Sequence, residues 1–255
     1  MAFWGNQNHF VFIGDSRLRM IYQAFINHLH PNENENDNDS TKLTNIKVDN
    51  KFDYKLRLRV NYIEINEVSK QMLDEFIKWQ NDEDPPSAII ASCTYANFMH
   101  GNLTDDIINT YSRNLTKIVK SIDKLSRKKT KILWKLQDPV VEEKLSDEWK
   151  NVVNKDIDKY NQVVYDILQY SDAQIWSSSR SIATGLMDET NDGYKLGSLA
   201  LQHDVQILLN MYCNDYMNFN DGTCCSSAEP YTILQVITYA IFGVWLVMHL
   251  FVFPL

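Results

Sequence analysis

A chain of 255 residues is long enough for one α/β domain with a substantial core, or for two small domains. With 44% hydrophobic and 23% charged residues, and only 8 glycines and 6 prolines, its composition is that of a globular protein. A net charge of -8 argues against a nucleic-acid partner, because no basic face is available to displace phosphate counterions, while a neutral or sugar-like ligand stays compatible with it.

In chain order, Phe10 to Ile13 reads as a short buried strand that breaks into Gly14-Asp15-Ser16. From Leu18 the apolar positions Ile21, Tyr22, Phe25, Ile26 and Leu29 follow at helical spacing. Residues 31–40, PNENENDNDS, are polar and acidic and make a solvated loop. Residues 46–62 change to period two, with Asp49-Asn50-Lys51 as the expected hairpin turn between Ile46, Val48 and the run from Phe52 to Tyr62. Ser69 is placed to cap a helix carrying Met72, Leu73, Phe76 and Ile77. After the loop NDEDPPS, the continuous apolar run SAIIASCTY predicts a strand buried on both faces.

Thr104 then opens a long amphipathic helix from Ile107 to Leu125, whose basic RKK end suits the helix dipole. KILWKLQDP predicts the next strand, closed by Pro139. A helix through Val153, Ile157, Tyr160, Val164 and Leu168 follows, then a short strand Gln174–Trp176 and a last helix from about Ser198 to Cys213. This βαβ rhythm predicts an α/β domain over residues 1–230: a mostly parallel sheet flanked by helices, with a hairpin insertion. Ligands of such sheets sit beyond the carboxyl ends of the strands, where Ser16 stands.

Residues 233–253, ILQVITYAIFGVWLVMHLFVF, carry no formal charge and are long enough to cross a hydrocarbon core, so a C-terminal transmembrane helix is expected there. Before Phe10 there is neither a basic n-region nor a long apolar h-region. Cys93 reads as a core thiol; Cys213, Cys224 and Cys225 cluster late, without the spacing of a zinc site, and suit a local disulfide in an oxidising lumen. Sequons at Asn38, Asn102 and Asn114 fit that compartment as glycosylation sites, although an asparagine-rich surface produces such tripeptides too.

Gly14-Asp15-Ser16 admits two readings. As an N-cap the serine is ordinary architecture. As a nucleophile it has its own amide at a helix N-terminus to steady a developing oxyanion, the helix dipole, and room left by Gly14. At the other end of the domain, Asp192-Gly193-Tyr194-Lys195 lies between the last strand and the last helix, where an acid could orient a base towards the serine.

GDSRLRMIY (14–22), LQDPV (136–140), DGYKL (192–196), LLNMYCN (208–214) and DGTCC (221–225) occur in one order. In that order they resemble the luminal SGNH-like (GDSL-like) domain of the sialic acid 9-O-acetyltransferases, the capsule-synthesis-domain family of Golgi membrane proteins. The resemblance runs from about Phe10 into the first membrane helix. It implies an SGNH-hydrolase-like, flavodoxin-like sheet, a domain facing the Golgi lumen, and transfer of acetyl from acetyl-CoA to a sialic acid or CMP-sialic acid without a metal. By the same resemblance Ser16 would be the nucleophile and Asp192 the orienting acid, and Arg17 and Arg19 belong to the extended serine motif. Gly14 and Asn97 are the candidates for oxyanion partners; Arg17, Arg19 and His100 are candidates for substrate contacts.

Two departures stand out. The family's D-x-x-H histidine is replaced by Lys195, and a lysine beside Asp192 stays charged and cannot take the serine proton. His100 follows a strand at the correct sheet edge and could substitute. His9 lies at the wrong edge, and His28 and His30 lie more than about 15 Å along the first helix. The family also has an upstream anchor and a multi-helix membrane part, so a fragment or a truncated paralogue is expected. Three alternatives therefore remain beside an acetyltransferase: a carbohydrate O-acetyl esterase, a non-catalytic binding paralogue, and a tail-anchored cytosolic protein.

Overall fold

A computed structural model describes residues 8–30, 48–53, 58–93 and 103–216. The chain forms two compact units, Met1–Met211 and Tyr212–Leu255, and the fold described here is that of the first. Its strands are β1 (Asn8–Gly14), β2 (Val48–Asp53), β3 (Leu58–Glu64), β4 (Ala88–Ser92), β5 (Lys131–Lys135) and β6 (Gln174–Trp176). Its helices are α1 (Ser16–Leu29), α2 (Lys70–Asn81), α3 (Asp105–Arg127), α4 (Asn154–Leu168), α5 (Ser178–Gly185) and α6 (Ser198–Tyr216), the last running past the end of the unit.

The six strands form one sheet in the order β2-β3-β1-β4-β5-β6. All neighbours are parallel except β2, which runs antiparallel to β3. This is the expected mostly parallel α/β architecture with a hairpin insertion. The hairpin itself differs from the expectation: β2 runs straight through Asp49-Asn50-Lys51, pairing Asn50 with Asn61, and the reversal comes after Asp53. The polar turn composition at 49–51 gave way because strand pairing to β3 satisfies those backbone groups equally well, and β2, at the sheet's edge, can show polar side chains to water.

Alternation along β1 divides the core. Val11 and Ile13 join the cluster formed with α2, α3 and α4, including Met72, Phe76, Leu115, Ile118, Ile122 and Tyr160. Phe10 and Phe12 face the other way, packing on Tyr22 and Phe25 of α1. Thr104 accepts from the Ile107 amide to start α3 as expected, whereas Ser69 stands at the N-cap of α2 without a side-chain cap bond, and α1 is capped by Asp15, which accepts from the amides of Arg17 and Leu18, rather than by Ser16. The segment 233–253 lies outside the described residues, as do Cys224 and Cys225. Among the described residues no helix is long and apolar enough to cross a membrane.

β1 sits at the point where the sheet is wound outward in both directions, towards β3 on one side and β4 on the other. The crevice beyond the carboxyl ends opens at such a point. Gly14 closes β1 there, buried against the end of β4, and a Cβ on it would be driven into the Ser92 carbonyl. The Asp15 amide donates to that same carbonyl at 3.2 Å. A Gly14→Ala variant must therefore part β1 from β4 at the rim. It is expected to lose about 2–3 kcal/mol of stability in urea denaturation, and an unchanged midpoint would show that the rim yields freely.

Candidate active site

The β1–α1 turn delivers Ser16 to the first turn of α1 as an exposed residue between two buried ones, Asp15 and Arg17. Asp15 spends one carboxylate oxygen on the Arg17 and Leu18 amides, at 3.1 and 3.2 Å. Burial pushes its carboxyl up, against those amides and the charges of Lys135 and Arg17. The Ser16 hydroxyl lies 3.0 Å from the Tyr194 hydroxyl, across 178 positions of sequence. The first glycine turn and the late acidic loop therefore meet on one rim of the sheet.

Arg17, a candidate substrate contact in the sequence, is only 2% exposed. It donates to the carbonyls of Asp138 and Pro139, at 2.8 and 3.2 Å, and its guanidinium lies over the Tyr194 ring at 4.4 Å. A side chain so enclosed holds the rim together and does not reach a ligand. Arg19, one turn position further, is partly exposed; it pairs with Glu64 at 3.8 Å and stands 5.9 Å over the Tyr62 ring. The exposure keeps it on the rim beside Ser16. Gly14, a candidate oxyanion partner, is a sheet residue whose carbonyl accepts from the Tyr62 hydroxyl and the Ile65 amide.

Asp192 organises its own loop. One oxygen accepts from the amides of Tyr194 and Lys195 at 3.0 and 2.7 Å, and the other lies 3.4 Å from the Lys195 ammonium. Partial burial would push the carboxyl up, but the two amides and the ammonium hold it below its ordinary value. Lys195 is 70% exposed, so its side chain is spent on Asp192 and on water. The residue at the serine is Tyr194, which the sequence reading passed over. Its signal was the D-x-x-K frame itself: Tyr194 precedes Lys195, and Gly193 has the positive φ, 75°, that turns the loop back under the rim.

The Tyr194 ring is held from both sides. Trp149 stacks on it at 4.4 Å and 24°, opposite the Arg17 guanidinium. The Val141 amide donates to the Gly193 carbonyl at 2.9 Å, and the Lys144 ammonium to the Thr190 carbonyl at 2.8 Å, so the segment after Pro139 braces the loop. Burial pushes the phenol well above its ordinary value, with the Asp15 charge acting the same way and Arg17 and the Ser16 hydroxyl opposing. At neutral pH the phenol is therefore protonated and is no proton acceptor of any strength.

Among the described residues, His9 and His30 lie away from the serine. His9 bonds Asn61 at 3.0 Å near the opposite edge, and His30 lies 3.5 Å from Asp53. Asn97, His100 and Asn102 fall outside the described residues. Asn114 lies within α3, where its amide donates to the Val68 carbonyl at 2.9 Å, so the nitrogen that would carry a glycan is bound to backbone. Cys93 is a free, buried thiol. Among the described residues no group of three or more His, Cys, Asp or Glu side chains is arranged to hold a metal ion.

Comparison with known proteins places this geometry. Over 239 residues the chain is 27% identical to the N-acetylneuraminate (7)9-O-acetyltransferase of Danio rerio. The resemblance carried by the five motifs is thereby met across 92% of the chain, which spans 29% of that relative's length. No family model matches the chain. Among solved structures, a candidate platelet activating factor from Streptococcus pneumonia superposes with a TM-score of 0.50 at 15% identity, covering 84% of this chain and 86% of the other. A member of the lipolytic G-D-S-L family from Veillonella parvula superposes at 0.47 and 10% identity, covering 80% and 98%.

Beneath the rim lies a second polar layer. Lys135 donates to the Asp138 carboxylate at 2.5 Å and to the Leu136 carbonyl at 3.0 Å, and Asp204 of α6 accepts from Ser179 at 3.0 Å. Burial pushes the Asp204 carboxyl up to about 7, with Lys135 opposing and the Asp138 charge reinforcing. Because the folded carboxyl keeps its proton to higher pH than the unfolded one, this group costs stability progressively as pH rises from its ordinary 3.8 towards about 7, and fully above that. Asp204→Asn is expected to gain melting temperature relative to the parent across that window, and a pH-independent difference would refute it. Arg17→Ala strands two carbonyls and uncovers a ring; it is expected to lose about 3 kcal/mol in denaturation, with Arg17→Lys restoring only part.

Proposed function

We propose that this chain is a sialic acid O-acetyltransferase-like domain that retains a sugar-binding rim at Ser16 but transfers acetyl groups poorly. Transfer by this route has two halves. The Ser16 oxygen attacks the thioester carbonyl of acetyl-CoA, forming the serine ester as the C–S bond breaks and the serine proton passes by way of a base to the coenzyme A sulfur. A sugar hydroxyl then attacks the ester, gives up its own proton to regenerate the Ser16 hydroxyl, and leaves acetylated. Both halves need a group that accepts and returns a proton at the Ser16 oxygen.

The observation that carries the proposal is the pairing at the rim: Ser16 meets a protonated phenol, while Lys195 pairs with Asp192. A charged lysine and a buried phenol both hold protons, so neither draws one from the serine. Support for the lineage comes from the Danio rerio relative, an N-acetylneuraminate (7)9-O-acetyltransferase. Arg19, partly exposed beside Ser16, is suited to the carboxylate of a sialic acid or the phosphate of CMP-sialic acid. The Golgi lumen is the compartment that goes with this reading.

Acetylation of CMP-sialic acid from labelled acetyl-CoA tests it, with the Danio rerio relative assayed alongside. This chain is expected to turn over at least ~100-fold more slowly than the relative, as loss of a positioned base requires, and Ser16→Ala is expected to abolish what remains. A rate equal to the relative's would overturn the impairment. Loss of acetate from an O-acetylated sialic acid in water, with no transfer, would establish an esterase in its place.

A further inference from the structure

We propose that Tyr194 is a latch on Ser16: its hydroxyl holds the serine oxygen in an unreactive hydrogen bond, so that replacing Lys195 by a histidine does not by itself free the nucleophile. The inference rests on the reading of Ser16 as an acyl-transfer position, and it adds a second, separate obstacle to the replacement of the family histidine by Lys195.

Three observations converge on the phenol. Its oxygen lies 3.0 Å from the serine oxygen, the distance at which a base would have to stand. Its ring has little freedom to leave, because Trp149 stacks on one face and the Arg17 guanidinium lies over the ring. Its backbone is fixed as well: Asp192 takes the Tyr194 amide, and Gly193 passes so close to Val141 that a Cβ would collide with the Val141 carbonyl. Arg17 is itself pinned by the carbonyls of Asp138 and Pro139, so the clamp belongs to the sheet and not to the loop alone.

The phenol is the more acidic of the two hydroxyls and is therefore the favoured donor to the serine oxygen. The lone pair that would attack a carbonyl is then engaged, and that hydrogen bond must break before reaction. A neutral hydrogen bond of this kind is worth a factor of roughly 2–12 in an equilibrium, so its release is expected to raise serine reactivity by about that much once a base is present.

The test is the rate at which a fluorophosphonate acylation mimic labels Ser16 in four versions of this chain: the parent, Tyr194→Phe, Lys195→His and the double variant. Phenylalanine keeps the ring between Trp149 and Arg17, and melting temperatures of all four confirm folding. The latch predicts that the double variant labels about 10-fold faster than Lys195→His, and that Tyr194→Phe never labels more slowly than its tyrosine counterpart. A tyrosine that only supported the fold would lower labelling when removed. Equal rates for Lys195→His and the double variant, or slower labelling on removal of the hydroxyl in either background, would overturn the latch alone. Absence of labelling in all four proteins would overturn the acyl-transfer reading and the latch with it.

Discussion

One buried cation organises the rim. Arg17 follows the exposed serine by a single residue, yet its guanidinium passes inward to two carbonyls after β5 and lies against the Tyr194 ring. Three chain segments far apart in sequence, 15–17, 138–139 and 192–195, are thereby held by one planar group. A lysine could not do this, because an ammonium lacks the flat fork that serves two carbonyls and an aromatic face together. Desolvating a guanidinium is costly, and the two carbonyls together with the aromatic face offset that cost.

From that anchor the electrostatics of the site follow. Asp15, Asp138 and Asp204 are buried around Arg17 and Lys135, a layer of acids and bases under the rim. Burial raises the proton affinity of Asp15, Asp204 and Tyr194 together. Asp192, more open to water and bonded to two amides, moves the other way and stays ionised. Among these groups Asp192 is the carboxylate whose surroundings favour ionisation, and it is paired to Lys195. A serine in such surroundings is well placed to receive hydrogen bonds and badly placed to lose its proton.

The sheet explains why the two ends of the chain meet at all. β1 lies centrally, with β3 and β4 on either side, and its carboxyl end opens where the helices diverge to opposite faces. The loop after α5 returns over the same edge because β6 is parallel to β5 and ends on that side. Gly14 permits the close contact with Ser92, and Gly193 the turn beneath Val141. Each glycine is used where a side chain would collide, and the two flank the serine–tyrosine contact.

Much of the fold was legible in the residues. Hydrophobic periodicity marked every strand but β2, whose Asp49-Asn50-Lys51 read as a turn, and all α-helices but α5, which is short and rich in serine and carries little apolar pattern (Ser178–Gly185). It also put Ser16 and the Asp192 loop on one edge, since βαβ handedness and strand order leave few other arrangements. What the residues could not disclose was which neighbour the serine would meet. Arg17 read as a candidate substrate contact and is buried; Tyr194 stood as a spacer between Asp192 and Lys195 and bonds the nucleophile position. Composition and period determine which face of an element is buried. Only the packed structure decides which atoms of distant segments come within hydrogen-bond reach, because that depends on sub-ångström fits, such as the ring between Trp149 and Arg17, that no local pattern encodes.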